Sequence, residues 1–231
     1  MIRPGSTIKP FTLLALIGAG KLAPSDSFLC PGVLSLNGEQ VNCSHPKLGV
    51  PMNAARAIAY SCNCAVAQFA ARLLPAELKQ TLLQFGFTSA SGLLRVPEAK
   101  GRIANPATPD SQKLQAIGQD GLSITPLELL EAYRRLALRI HEPPLAAILE
   151  GMEGAVNYGT AQRAALDKIQ VAGKTGSVEI SPGIHAAWFA GFAPSRRPRV
   201  VTVIATQGFS GGADAAPIAR QLLRHYFKDE A

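Results

Sequence analysis

The chain has 231 residues, enough for one large domain with a sizeable core, and its 47% hydrophobic against 17% charged residues exclude a mainly disordered protein. The 23 Lys and Arg outnumber the 16 Asp and Glu, a formal charge of +7 that would suit an anionic polymer. The densest basic runs (Arg134, Arg135 and Arg139; Arg196, Arg197 and Arg199) carry no interleaved aromatics, so they read as solvated faces and nucleic acid is not an expected partner.

In chain order, residues 6–20 predict a helix that begins at a Ser, is apolar on nearly every side and stops at Gly18 and Gly20. The longest apolar run, Phe11 to Ala19, is about half of what a membrane-spanning helix needs. Residues 24–50 read as loop and hairpin, with Asn37-Gly38 at the turn. Residues 53–73 predict one or two helices interrupted by Ser61-Cys62-Asn63, and 76–86 a further short helix. The Gly-, Pro- and Ser-rich stretch 88–112 reads as a long surface excursion. A helix follows over 126–141, announced by Thr125-Pro126, and another is expected around 159–167. Three strands are then predicted, 169–180, 185–193 and 199–206, before a closing helix from about 215 to 227. Helices first and an antiparallel meander afterwards make the fold class α+β. With the strand of Lys174 at one edge, the β-branched run Val200 to Thr206 is expected at the other.

The four cysteines stand at positions 30, 43, 62 and 64. Cys30 and Cys43 bracket the predicted hairpin, and a disulfide between them fits an oxidising compartment. Cys43-x-His45 and Cys62-x-Cys64 leave metal ligation as a lesser reading, four free thiols as the plain one. No metal and no cofactor are called for.

Three short motifs could carry chemistry. Ser6-x-x-Lys9 puts a hydroxyl and an amine on one helix face, where a neutral amine can take the hydroxyl proton. Alone, the spacing is common. Ser61-x-Asn63 offers a second hydroxyl and an amide inside an apolar stretch, or simply a kink between helices. Lys174-Thr175-Gly176, on the first strand, offers charge and a hydroxyl to an anion beside a residue that lets a ligand approach the backbone.

Together and in this order, the three are the motifs of the penicilloyl-serine transferases. Pro4-Gly5-Ser6-Thr7-Ile8-Lys9-Pro10-Phe11 resembles the first signature of penicillin-binding protein transpeptidase domains, and Tyr60-Ser61-Cys62-Asn63 the second. Gly118-Gln119 with Ile124-Thr125-Pro126-Leu127, Gly159-Thr160-Ala161, Val171 to Gly176 and Ala187 to Pro194 extend the likeness over essentially the whole chain. Ser177 and Asp120 stand where the family usually has Thr and Gly, and His45-Pro46-Lys47-Leu48-Gly49 replaces its usual loop before the second motif.

The resemblance implies a β-lactamase/transpeptidase-like antiparallel sheet flanked by helices, and one catalytic domain over 1–231. Because the chain begins five residues before Ser6, it also implies a domain N-terminally truncated relative to the family, lacking the upstream strands and membrane anchor. The implied function is a peptidoglycan D,D-transpeptidase of the cell envelope, periplasmic or at the extracytoplasmic face of the inner membrane. Its partners would be D-Ala-D-Ala stem peptides of lipid II-derived strands and other cell-wall synthesis proteins, with β-lactams as inhibitors. Ser6 would be the nucleophile, Lys9 its base, Ser61 a proton relay and Asn63 the group that orients the substrate amide. Lys174 and Thr175 would bind the terminal carboxylate beside Gly176, with the amides of Ser6 and Ser177 as oxyanion hole. Two other readings are a degenerate β-lactam-binding or sensor domain and a serine β-lactamase. The β-lactamase would need a deacylating Glu, for which the 88–112 stretch offers only Glu98.

Overall fold

The computed structural model describes residues 1–228 and residue 230. A 3-10 turn, Gly5–Ile8, leads into helix α1, Lys9–Gly18. The helix expected over 6–20 therefore divides, with Ser6 on the tight turn and Lys9 opening the α-helix. Pro10 sits in the first helical turn, where its missing N–H would be unpaired anyway. α1 is buried from Lys9 to Leu16 and forms the axis of the molecule. Around Phe11, the rings of Phe85, Phe87 and Tyr133 stand edge-on with centroids 5.2, 5.2 and 5.5 Å away.

Strands β1 (Val33–Leu36) and β2 (Glu39–Asn42) form a hairpin closed by Asn37-Gly38, with Leu36 opposite Glu39. Helix α2, Ala54–Ala59, starts where the Asn53 side chain accepts from the Arg56 amide. Ser61 and Cys62 break the run before α3, Asn63–Ala70, and α4 spans Pro75–Gln84.

Two expectations fail in the middle of the chain. The stretch 88–112 is not all excursion. It contains β3 (Arg102–Ile103) and the start of α5 (Pro109–Ala116), whose first turn is capped by Thr108. β3 pairs with β4, Leu122–Ser123, and α6 spans Pro126–Leu138. A reciprocal box of Thr125 and Glu128 starts α6; the same carboxylate also accepts from the amides of Thr88 and Gly101. The second failure is the helix expected at 159–167, where the structure has only a 3-10 turn, Gln162–Ala164. The helix lies earlier, as α7, Ala146–Asn157. Its glycines lower helix propensity, yet packing requires Gly151: a Cβ there would stand 2.7 Å from Ala55 O and from Ile58 Cβ of α2.

Strands β5 (Ala172–Ser181), β6 (Ile184–Ala193) and β7 (Val200–Gln207) form an antiparallel sheet in that order, leaving β5 and β7 at its edges. Along β6, Ala186, Trp188, Ala190 and Phe192 enter the core of the helical body. Ala187, Phe189 and Ala193 enter a second core with Ile204, Leu223 and Phe227 under α8, Ala216–Tyr226. The architecture is the expected α+β one: an antiparallel sheet flanked by helices, with the 3-10 turn that precedes α1 and helix α7 packed on β5. Among the described residues, no helix is long and apolar enough to cross a membrane.

Candidate active site

A cleft of about 520 Å³ opens between the edge strand β5 and the helical body, lined by Ser6, Ser61, Asn63, Thr175, Gly176 and Ser177 among others. Six of the eight residues expected from sequence thus meet at one surface, although 55 residues separate Ser6 from Ser61 and 113 separate Ser61 from Lys174. The other two, Lys9 and Lys174, are fully buried in the protein behind it.

Lys9 reaches the cleft floor from the start of α1. Its Nζ donates to Ser61 O at 2.6 Å, Ser61 Oγ at 3.2 Å and Asn63 Oδ1 at 2.6 Å. Burial strips water from the ammonium and lowers the Lys9 pKa from 10.5 to about 8; the sulfurs of Cys62, Cys43 and Cys64 pull the other way. Among the described residues, no carboxylate is a hydrogen-bond partner of Lys9. A buried amine held by neutral oxygens is one that can be uncharged near neutral pH and accept a proton.

Ser61 adopts φ 55°, the left-handed region, in the break between α2 and α3. This turn lets both its carbonyl and its hydroxyl face Lys9. Asn63 divides its amide between two duties, with Oδ1 on Lys9 and Nδ2 donating to Asn42 O at 2.7 Å, which ties the end of β2 to the site.

On the sheet side, Lys174 donates to Thr175 O at 2.9 Å. Burial first, and the charge of Lys9 second, push its pKa well below the ordinary 10.5. Thr175 Oγ1 donates to Thr160 Oγ1 at 2.8 Å, and Ser177 Oγ accepts from the Gly211 amide at 3.0 Å. The turn carrying Ser6 is clamped from the other side. Gly5 N donates to Gly118 O at 3.1 Å, and a Cβ on Gly118 (φ 80°) would sit 2.0 Å from Gly5 O.

Sequence reasoning missed Asn42, Ser44, Phe209 and Ser210, which also line the cleft, while Gln119 entered only within the Gly118-Gln119 likeness. Thr160 carried a faint signal in Gly159-Thr160-Ala161, but its contact with Thr175 depends on the fold. The cysteines follow the plain reading of four free thiols, with Cys30 and Cys43 close across the hairpin as expected and no disulfide between them. Cys30 and Cys43 face each other at 3.6 Å between sulfurs, and Cys62 and Cys64 join them, 3.7 and 3.4 Å from Cys43. All four are free thiols. Cys30, Cys43, Cys62 and His45 present donor atoms all within 4.8 Å of one another, three of them from the pairs Cys43-x-His45 and Cys62-x-Cys64.

The sequence model of the penicillin binding protein transpeptidase domain matches residues 1–224. The chain is 23% identical to the probable peptidoglycan D,D-transpeptidase PenA of Neisseria flavescens, covering 96% of this chain and 63% of that protein. It is 26% identical to the peptidoglycan D,D-transpeptidase PbpA of Mycobacterium tuberculosis, over 98% of this chain and 55% of the relative. The chain therefore spans between about half and two thirds of the length of these relatives. Among solved structures, penicillin-binding protein 2 of Pseudomonas aeruginosa in complex with WCK 5153 superposes with a TM-score of 0.88 at 24% identity, over 99% of this chain and 62% of that one. Penicillin-binding protein 3 of Mycobacterium tuberculosis complexed with aztreonam superposes with a TM-score of 0.85 at 22% identity, over 99% of this chain and 63% of that one. At this identity the structures establish the fold.

Proposed function

The chain belongs to the penicillin-binding protein transpeptidase family, and we propose that it acts as a serine D,D-transpeptidase of the cell envelope on D-Ala-D-Ala stem peptides of peptidoglycan. Ser6 Oγ attacks the carbonyl between the two D-alanines while the neutral amine of Lys9 takes its proton. The C–N bond then breaks, and Ser61 returns a proton to the departing amine. Asn63 orients the substrate amide, Lys174 and Thr175 receive the terminal carboxylate, and Gly176 lets the peptide lie against β5. The backbone amides of Ser6 and Ser177 hold the developing oxyanion, contributing about 3–4 kcal/mol per donor to the barrier reduction. The acyl group passes to an amine of a neighbouring strand or to water.

The observation that supports this most is the one amine, Lys9 Nζ, bound to both Ser61 Oγ and Asn63 Oδ1 behind the turn that carries Ser6. Fluorescent penicillin tests it, since the β-lactam amide presents the same electrophile. A stable covalent band whose adduct maps by mass spectrometry to the peptide of Ser6 is expected. An adduct on Ser61 or Ser177 would overturn the roles, no band would indicate a degenerate binding domain, and rapid nitrocefin hydrolysis would indicate a β-lactamase.

A further inference from the structure

The second motif has an unusual neighbour. Cys62 lies between Ser61 and Asn63, and its sulfur belongs to a cluster that the cleft chemistry does not use. Cys30 and Cys43 close the β1–β2 hairpin at its base, where Cys43 N donates to Gly32 O at 2.8 Å. Their sulfurs are 3.6 Å apart, and Cys43 Sγ is 3.7 Å from Cys62 Sγ. In a tetrahedral zinc site with Zn–S bonds of about 2.3 Å, neighbouring sulfurs stand about 3.8 Å apart. The cluster has nearly that spacing.

The fourth donor is an imidazole. His45 Nδ1 lies 2.8 Å from Pro46 O. A proton on Nδ1 satisfies that carbonyl and leaves the lone pair on Nε2. Nε2 is buried and has no hydrogen-bond partner among the described residues. Its residue is part of the set whose donor atoms all lie within 4.8 Å of one another: Cys30, Cys43, His45 and Cys62. The surroundings are those of metal-bound thiolates, with backbone amides donating to sulfur from Gly32 to Cys30 (3.3 Å), from Cys64 to Cys43 (3.4 Å) and from Ala65 to Cys62 (3.4 Å).

We propose that Cys30, Cys43, His45 and Cys62 bind one Zn²⁺ in a closed tetrahedral site of structural type. Sulfur-rich tetrahedral donor sets favour Zn²⁺ over the oxygen-seeking Mg²⁺ and Ca²⁺. Binding releases protons from the thiols and changes no oxidation state. The ion would join the base of the hairpin to the residue between Ser61 and Asn63, in parallel with the hydrogen bond from Asn63 to Asn42 O. It would thereby position Asn63 against Lys9. Metal binding stands independently of the transpeptidase reading, and only this positioning consequence rests on it.

The test begins with the full chain purified under reducing conditions without chelator. One equivalent of zinc by elemental analysis is expected, and Co²⁺ exchanged into the site should give the intense visible bands of tetrahedral cobalt with thiolate charge transfer. His45→Ala and Cys30→Ser should each weaken zinc affinity by more than the ~10–100-fold that follows loss of an outer partner. Cys64→Ser, which keeps the backbone amide to Cys43, should retain the metal. Both ligand variants are checked for folding by circular dichroism, and His45→Ala removes a half-buried side chain rather than a core one. Stripping the metal should slow penicillin labelling, and Zn²⁺ but not Mg²⁺ should restore it. Failure to label with zinc bound would count against the positioning role and the transpeptidase reading while leaving the metal site standing. Absence of zinc, no uptake of Co²⁺ by the reduced folded protein, or equal zinc affinity in His45→Ala would overturn the site itself.

Discussion

On the helical side of the cleft, three side chains converge on one another: Lys9 Nζ has three oxygens within 3.2 Å, and Asn63 bridges Lys9 to the hairpin. On the sheet side, Lys174 has a single acceptor among the described residues, the carbonyl of its own neighbour. The wall there is built mainly from strand pairing and close backbone contacts, with side-chain hydrogen bonds from Thr175 and to Ser177 at its rim. Both lysines are fully buried and both have lowered pKa values. The difference lies in what locates them. A wall made of side-chain hydrogen bonds can lose its chemistry while keeping its fold. A wall made of backbone approaches should lose both together.

That contrast can be broken experimentally. Ser6→Ala should abolish covalent labelling, and Lys9→Ala should slow it by about 10²–10⁴, the range of general-base assistance, with the circular dichroism spectrum unchanged. Unfolding of Lys9→Ala would show that the helical wall is structural after all. Gly118→Ala, between the walls, should do the opposite. Its left-handed φ and the 2.0 Å approach of a Cβ to Gly5 O predict a loss of at least about 1–3 kcal/mol in thermal or urea unfolding, with labelling lost through misplacement of Ser6.

The pH dependence sharpens the comparison further. Lys9 acts as a base only when unprotonated, so the rate of acylation should rise with pH and reach half its plateau near the Lys9 value of about 8. A rate constant that stays level through that region, measured by stopped-flow labelling, would remove Lys9 from the base role. A smaller effect is expected from Thr160→Val. Loss of its 2.8 Å hydrogen bond with Thr175 should cost about 1 kcal/mol and weaken substrate binding about fivefold, leaving the labelling of Ser6 intact at saturation.

The sheet was legible in sequence because its three strands are β-branched and aromatic runs separated by Ser181-Pro182-Gly183 and Pro194 to Pro198, and β6 alternates between two cores. The motifs were legible because each is local. Helix α7 was not, since Gly151 and Gly154 look like breakers until α2 is seen pressed against them. α5 was hidden in a Pro- and Ser-rich stretch, where Thr108 and Pro109 start a helix as readily as they end one. Cys43-x-His45 and Cys62-x-Cys64 gave only a weak hint of shared ligation, because which of these side chains meet Cys30 depends on how β2 meets the turn before α3. Contacts such as Thr175 with Thr160 are likewise products of the tertiary arrangement.

The left-handed backbone of Ser61 has an evolutionary consequence. Glycine would hold φ 55° with less strain than serine, so folding stability alone favours Ser61→Gly. The hydroxyl that Lys9 contacts at 3.2 Å is lost in that exchange. Under the proposed relay role, position 61 is a residue at which selection for stability and selection for proton transfer point in opposite directions. A lineage released from catalysis would drift toward glycine there, while one still performing it would keep the strained serine.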